Sequence, residues 1–295
     1  MNADPILALA WLLVLHLLPD FVLQTERVAT DKFGHGPAAW RALGIHVAVV
    51  AVCVVPAILA WGLPGLGYAV IVVVSHGAID RAKIVWTRHV EAVAIARAHR
   101  AHEGSVPADG LGSAWTPAPA ALFVLDQAAH VAISAAAWAV LLAAAPLTAT
   151  WVTATGRILD RWDPATVQQV VLVLVVGLDL VIVNVRAASL FVATLVMPRR
   201  AVTGHDPQAT VAPPDESGLP APRVGATIGV IERLLIVVLV LTGAEAAIGL
   251  VVAAKTLARF RQLDDRAFAE YYLLGTLASV SVALISGLVA LAALN

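Results

Sequence analysis

Three apolar stretches of the chain each carry a histidine and an aspartate four residues apart. The stretches read HLLPD, HGAID and DQAAH. A spacing of four places both side chains on one face of a helix. Ionisable groups within a membrane-spanning helix are costly, and by default they mark a functional site. With one isolated histidine added, the candidate site residues are His16, Asp20, His46, His76, Asp80, Asp126 and His130.

These residue types predict a metal site. Imidazole and carboxylate groups are ligands that zinc and other transition metals use in proteins. Four histidines and three aspartates suffice for one metal with its supporting groups, or for two metals. We therefore predict a divalent metal cofactor, zinc first, with Mn and Fe as alternatives. With an open coordination position and an aspartate as general base, the site would suit a metal-dependent hydrolase of a lipid or lipid-linked substrate.

Two other interpretations of the same residues stay open. A cation or proton transporter or channel needs polar groups that continue across both leaflets, and Asp179, Asn184, Arg186 and Glu245 are the residues that favour it. A structural scaffold needs only that the His–Asp pairs form hydrogen bonds between helices. Alanine at the paired positions would then lower stability without a separate loss of activity.

The composition indicates the class of protein. Of the 295 residues, 60% are hydrophobic and 13% are charged, and the mean hydropathy is +0.86. Several apolar runs reach the roughly 20 residues that a membrane-spanning helix needs. Because only helices and closed barrels satisfy their own backbone in lipid, we predict an all-α polytopic transmembrane bundle. Cys53 is the one cysteine, which excludes an intrachain disulfide.

The apolar runs predict about eight spans. They lie near residues 5–23, 40–60, 65–86, 118–145, 166–196, 225–243, 245–260 and 268–294. The fifth is long enough to be tilted or bent, and the seventh is short. The predicted organisation is a four-span front half, a long fifth span, a flexible cytoplasmic linker rich in Pro and Gly, and a three-span C-terminal half. These parts cover residues 1–163, 164–196, 197–223 and 224–295, respectively.

The basic residues predict the orientation. The connections after spans 1, 3, 5 and 7 hold 15 of the 19 Lys and Arg, among them Lys32 and Lys83. The positive-inside rule then places these connections in the cytoplasm and both termini outside. In this orientation each aspartate of a pair lies about 6 Å nearer the cytoplasm than its histidine. The order of the pair reverses in span 4, where the chain direction reverses, so a histidine layer lies above an aspartate layer in the cytoplasmic leaflet.

Other polar groups near the same membrane face are candidates for an accessory role. They suit either a charged lid that contacts lipid head groups, or a Glu–Arg pair that is neutralised locally and a lysine that extends to the interface. These residues are Gln24, Glu232, Arg233, Lys255 and Glu270. Residues 87–104 fit an interfacial helix or a polar loop equally well. We expect membrane lipids as partners and no nucleic acid, because topology accounts for the basic residues. The sequence does not specify an oligomeric state.

Four motifs resemble a known family. HLLPDFVLQT, the isolated histidine of RALGIHV, SHGAIDRAK and FVLDQAAH are similar to successive motifs of a bacterial membrane family, domain of unknown function 3307, over about residues 6–143. IGVIERLLIVVLVLTG, AAIGLVVAAKTLARF and EYYLLGTLAS resemble the C-terminal extension of its longer members. The resemblance implies a multi-pass inner-membrane protein and little about mechanism. Pro19, between His16 and Asp20, predicts a local loosening that shifts Asp20 off the histidine face.

Overall fold

The computed structural model describes residues 4–101, 115–159, 162–196 and 221–295. Every regular element in these residues is a helix, so the predicted all-α class is confirmed. Among the described residues, six helical stretches are long and apolar enough to cross a membrane: Pro5–Val22, Gly36–Trp61, Leu63–Arg97, Ala118–Leu141, Pro164–Val196 and Phe268–Leu294. The chain is therefore a membrane-spanning helical protein. The count of eight spans and the position of the termini stay predictions.

The helices follow one another along the chain with short connections. In order, they are α1 (Pro5–Leu17), α2 (Glu26–Asp31), α3 (Gly36–Cys53), α4 (Val55–Trp61), α5 (Leu63–Ala101), α6 (Ala118–Leu141), α7 (Ala149–Leu159), α8 (Pro164–Ile182), α9 (Ala188–Val196), α10 (Ala221–Leu241), α11 (Ile248–Ala258) and α12 (Arg266–Leu294). Of the predicted linker, residues 197–220 lie outside the described residues. Helix α5 continues through Ala101, so residues 87–101 are helical rather than a polar loop, and residues 102–104 are not described.

Helix starts follow the local sequence. Asp4 caps α1, where its carboxylate accepts from the backbone N–H of Leu7 at 2.9 Å, and a proline follows the cap. Asp163 caps α8 in the same way, accepting from the N–H of Thr166 at 2.9 Å. The hydrogen bonds from the Thr166 backbone and side chain lower the pKa of the Asp163 carboxyl. Both helices therefore begin at an Asp-Pro pair that the sequence displays.

Two of the spanning helices contain a wider π-helical turn. Leu18–Val22 continues α1 as a π-helix, and the N–H of Leu23 donates to the carbonyl of Leu18, five residues earlier. Pro19 lies in this turn and has no N–H to continue the α-helical pattern. Val183–Ala187 is a second π-helix, between α8 and α9. Such turns are frequent at functional sites, and the second one lies in the long fifth span.

The described chain divides into two compact units. The first comprises Met1–Trp86, Leu122–Val183 and Ala292–Asn295. Its apolar core, formed by side chains of α1, α4, α5 and α6, includes Leu12, Ala60 and Tyr68. Helix α4 turns sharply into α5 at Gly62, whose φ is +63°. The second unit comprises Thr87–Ala121 and Asn184–Leu291.

Candidate metal centre

All seven histidines and aspartates that the sequence singles out lie in the first unit, and their side chains come together there. They derive from α1 and its π-turn, α3, α5 and α6. His76 and Asp80 are 1% exposed, and His46 is 2% exposed. Three of the histidine rings lie in contact: His16 stacks on His130 at 5.0 Å between ring centroids, and His76 lies 4.2 Å from His130 with its ring tilted by 41°. These rings form the histidine layer that the reversed order of the pairs predicts.

Three donor atoms form a small triangle within the cluster. His46 Nε2 and His76 Nε2 lie 2.9 Å apart. Asp20 Oδ1 is 3.3 Å from the first of these atoms and 3.2 Å from the second. Ligand atoms around a tetrahedral zinc ion with bonds of 2.0–2.1 Å are separated by about 3.3 Å. The three edges are therefore close to those that a small divalent metal imposes on its ligands.

The π-helical turn at Pro19 determines which groups Asp20 contacts. In a regular helix, His16 would be its closest imidazole, but the two residues are 4.0 Å apart between Nε2 and Oδ2. The wider turn instead carries Asp20 Oδ1 to His46 and His76. Asp20 Oδ1 is buried, and each of these rings can donate to it only in the tautomer that carries the proton on Nε2. A buried carboxylate oxygen without a donor is costly unless a cation or proton joins it.

Neighbouring polar groups restrict the protonation of each imidazole. His130 Nδ1 lies 2.9 Å from the backbone carbonyl of Asp126, an acceptor, so the Nδ1 proton points there and Nε2 carries a lone pair. Gln127 Oε1 lies 3.2 Å from His16 Nε2, and Gln127 Nε2 donates to Asp126 Oδ2 at 2.9 Å. Gln24 Nε2 lies 3.1 Å from His46 Nδ1. These contacts fix ring orientation in the way that outer partners orient metal ligands.

Two lysines belong to the cluster, although the sequence assigned them only to basic connections. Lys32 Nζ donates to Asp80 Oδ2 at 2.8 Å and is 5% exposed. Lys83 Nζ donates to Asp126 Oδ2 at 2.6 Å and also lies 3.7 Å from Asp80 Oδ1. The signal for Lys83 was its position three residues after Asp80, on the same helix face. Nothing in the local sequence distinguishes Lys32 from an exposed loop lysine.

The lysines leave one carboxylate without a cationic partner. With the imidazoles neutral, three aspartates and two lysines give the cluster one excess negative charge. Lys32 compensates Asp80 and Lys83 compensates Asp126, whereas the contacts of Asp20 are imidazoles and the Gln127 amide. The site therefore attracts a cation most strongly at Asp20. Besides the triangle, three other sets of donors are close enough to hold a metal: His16, Asp20 and His76; His46, His76 and Asp80; and Asp80, Asp126 and His130.

A small cavity adjoins the histidine layer. Its walls include His16, His76 and His130 together with Ser134 and Tyr68, and its volume is about 10 Å³. This is about the space that one water molecule needs. Tyr68 and Ser134 hydrogen-bond to each other at 2.5 Å, and Tyr68 also belongs to the apolar core. The described cavity therefore has room for a water molecule but not for a lipid.

The five predicted accessory residues do not all lie in the cluster. Gln24 lies in the cluster, against His46. The other four belong to the second unit, where each has local partners. Glu232 pairs with Lys255 at 2.5 Å, and Glu270 pairs with Arg266 at 2.9 Å. The ion pairs are local, but among the described residues Glu232 pairs with Lys255 rather than with Arg233 as predicted.

Among the described residues of the second unit, Arg233 is the most buried charged group, at 3% exposure. Its guanidinium donates to the carbonyl of Asn184 at 2.7 Å, to Ser279 Oγ at 3.1 Å and to Ser189 Oγ at 2.6 Å. Asn184 lies in the second π-helical turn, so Arg233 donates to a backbone carbonyl of this turn. Its role within the unit is to join α10, α12 and the segment after α8.

Comparison with known proteins gives one family and no closer relative. A family model described as Protein of unknown function (DUF3307) matches residues 8–157. No curated protein and no solved structure matches the chain. The matched stretch is just over half of the 295 residues, and it contains every histidine and aspartate of the cluster as well as Gln24, Lys32, Lys83 and Gln127. The chain belongs to the DUF3307 family.

Proposed function

We propose that the chain is an integral inner-membrane metalloprotein that binds one divalent transition metal at Asp20, His46 and His76. The observation that carries the proposal is the triangle of donor atoms, with edges of 2.9, 3.2 and 3.3 Å. Two imidazole nitrogens and one carboxylate oxygen are a donor set that suits zinc, with manganese and iron as alternatives. The excess negative charge at Asp20 supports a cation there.

The remaining residues of the cluster have distinct roles in this proposal. His130 Nε2 is buried and, among the described residues, has no hydrogen-bond partner, so it is the next imidazole available to a cation. Gln24 and Gln127 orient His46 and His16. When bound, the metal would supply Lewis acidity and would lower the pKa of a coordinated water. Asp80 and Asp126 hold lysines and are less available as ligands.

The prediction of a lipid hydrolase requires more than this arrangement provides. The cavity beside the histidines has room for a water molecule but not for an acyl chain. Hydrolysis of a lipid or lipid-linked substrate would therefore need a movement that opens the cluster. The transport alternative needs polar groups that continue from the cavity across the membrane. Leu12, Leu15 and Tyr68 instead line the cavity and also form part of the apolar core.

The proposed location follows from the basic residues. With the Lys- and Arg-rich connections in the cytoplasm, the cluster lies in the cytoplasmic leaflet, near lipid head groups. Because Cys53 is the one cysteine, a Cys53→Ser background with single cysteines added at either terminus reports topology by labelling from outside. Labelling of both termini in intact cells supports the orientation, and protection of both reverses it.

Elemental analysis of the purified protein in detergent tests metal binding. The wild type and His76→Ala are compared with His89→Ala, which changes an exposed histidine of the same helix α5. We expect about one equivalent of a transition metal in the wild type and in His89→Ala, and a loss of most of it in His76→Ala. Equal metal content in His76→Ala and the wild type, or negligible metal in the wild type after zinc, manganese and iron loading, would remove the proposal.

A further inference from the structure

Lys32 is the one buried side chain of an otherwise accessible segment. Helix α2 contains no buried residue, and Lys32 caps its C-terminal end. The side chain of Lys32 nevertheless reaches Asp80, and only 6% of it is exposed. Arg27, on the same helix, is 90% exposed and pairs with Asp31 at 3.6 Å. A long cationic side chain thus passes from an accessible segment into the cluster.

The ammonium group of Lys32 lies beside the proposed metal position. It binds Asp80 Oδ2, and that oxygen is 3.5 Å from His46 Nε2, a corner of the donor triangle. Asp80 Oδ2 is therefore the carboxylate oxygen beside the triangle that could serve as a fourth ligand of the metal. A metal ion and an ammonium group this close to the same oxygen repel each other strongly in a buried site. Both cations cannot hold Asp80 Oδ2 at once.

Lys83 differs from Lys32 in the element that carries it. Lys83 projects from the spanning helix α5, three residues after Asp80, and its closest partner is Asp126. Displacing the backbone of Lys83 would require a long helix to move. Displacing the backbone of Lys32 requires only that the six-residue helix α2 and its flanking turns shift. Local opening of short, accessible segments has a lower free-energy cost than opening of a packed helix.

We infer that Lys32 is an internal competitor of the metal and that α2 acts as a lid over the site. The inference rests on the metal-binding function proposed above. In the closed arrangement, Lys32 neutralises Asp80 and covers the cluster. When a divalent metal binds, Asp80 turns to the metal and Lys32 leaves with α2. The occupancy of the site is then coupled to the position of a segment near the membrane surface.

Affinity measurements separate a competitor from a supporting residue, because the two roles predict opposite signs. Zinc binding in detergent is compared among the wild type, Lys32→Met and Arg27→Gln, the last of which removes a charge from the same helix without touching the cluster. A competitor predicts that Lys32→Met binds zinc at least about tenfold more tightly than the wild type. Arg27→Gln should bind as the wild type does. Unchanged or weaker binding by a folded Lys32→Met would overturn the inference.

Lysine reactivity of the wild type gives a second test that does not depend on a folded variant. The chain has three lysines, Lys32, Lys83 and Lys255, so an amine-reactive label can be assigned to each by mass spectrometry. With zinc, we expect the labelling rate of Lys32 to rise by about tenfold or more, as for a group released from a closed state. The rate of Lys83 should stay the same. If zinc binds and Lys32 stays protected, the lid does not open.

The two proposals fail in different ways. If neither the wild type nor Lys32→Met binds zinc, manganese or iron, the metal-binding function itself is wrong. If the wild type binds one metal but the Lys32 measurements show no competition, the metalloprotein proposal stands and the lid is wrong.

Discussion

His46 Nε2 and His76 Nε2 lie 2.9 Å apart, with Asp20 Oδ1 within 3.3 Å of each. Two neutral imidazoles at this distance are joined by an N–H···N hydrogen bond in which one ring donates, and a cation bound by all three atoms would replace that proton. The helices that carry the two histidines, α3 and α5, are separate spans. A single shared cation would therefore link both helices to the π-turn of Asp20.

Gln24 is predicted to position His46 for metal binding. A metal on His46 Nε2 requires the proton on Nδ1, and the Gln24 amide oxygen is then its acceptor after the amide turns. Gln24→Leu should weaken zinc binding by about 10–100-fold. Gln24→Glu, whose carboxylate accepts the same proton, should restore most of the affinity. The measurement is a zinc titration in detergent with a competing chelator.

The outcome for the pair of variants distinguishes positioning from packing. If Gln24→Leu and Gln24→Glu lose affinity equally, the contact between Gln24 and His46 matters only for packing. If neither loses affinity, His46 is oriented by the helix alone.

The buried pair of Lys83 and Asp126 is predicted to be strongly coupled. Lys83→Met leaves two carboxylates uncompensated and should reduce the free energy of unfolding by about 3–5 kcal/mol. The double variant Lys83→Met/Asp126→Asn should lose less than the sum of the single variants. Unfolding in a denaturing detergent, monitored by circular dichroism, gives all four corners of the cycle.

An exposed pair provides the comparison. Arg27→Met breaks the pair with Asp31 on the accessible helix α2, and it should change stability by about 0–1 kcal/mol. Strictly additive losses for Lys83 and Asp126 would show that the buried contact contributes no pairwise energy.

The sequence predicts which histidines and aspartates form the site, but it does not predict which lysines compensate their charge. The four-residue spacing was sufficient to predict the shared cluster, because helix geometry alone sets that face. Pro19 gave the signal for the displaced Asp20. Lys32 was assigned to a connection, because charge counts cannot distinguish an exposed lysine from one that folds back onto a carboxylate. The partners of Arg233 are likewise not predictable from the sequence, because Ser189 and Ser279 are distant in sequence and lie near it only through tertiary packing.

Arg233 is predicted to stabilise the second unit through the shape of its guanidinium as well as its charge. Arg233→Lys keeps the charge, but one ammonium group cannot replace three donations in different directions. We expect a loss of about 2–3 kcal/mol in unfolding free energy. Arg186→Lys, at an exposed arginine of the neighbouring π-turn, serves as the control. Equal stability of Arg233→Lys and the wild type would show that charge alone is sufficient.

Gly65 is predicted to be required for the tight turn between α4 and α5. A Cβ atom at this position would collide with the backbone carbonyl of Ala57. Gly65→Ala should therefore lower stability by about 1–3 kcal/mol or prevent folding. At Gly44, in the interior of α3, an added Cβ meets no described atom within 4 Å apart from the neighbouring backbone of its own helix, so Gly44→Ala should be neutral or stabilising. A thermal melt of both variants in detergent makes the comparison, and a neutral Gly65→Ala would contradict this account of the turn.

Diffraction from crystals of the zinc-loaded protein, measured on both sides of the zinc absorption edge, tests the central claim most directly. The anomalous difference map locates the metal independently of the protein coordinates. The account predicts one strong peak within about 2.0–2.2 Å of Asp20 Oδ1, His46 Nε2 and His76 Nε2. A peak elsewhere in the chain, with these three atoms bound to one another only through protons, would contradict it.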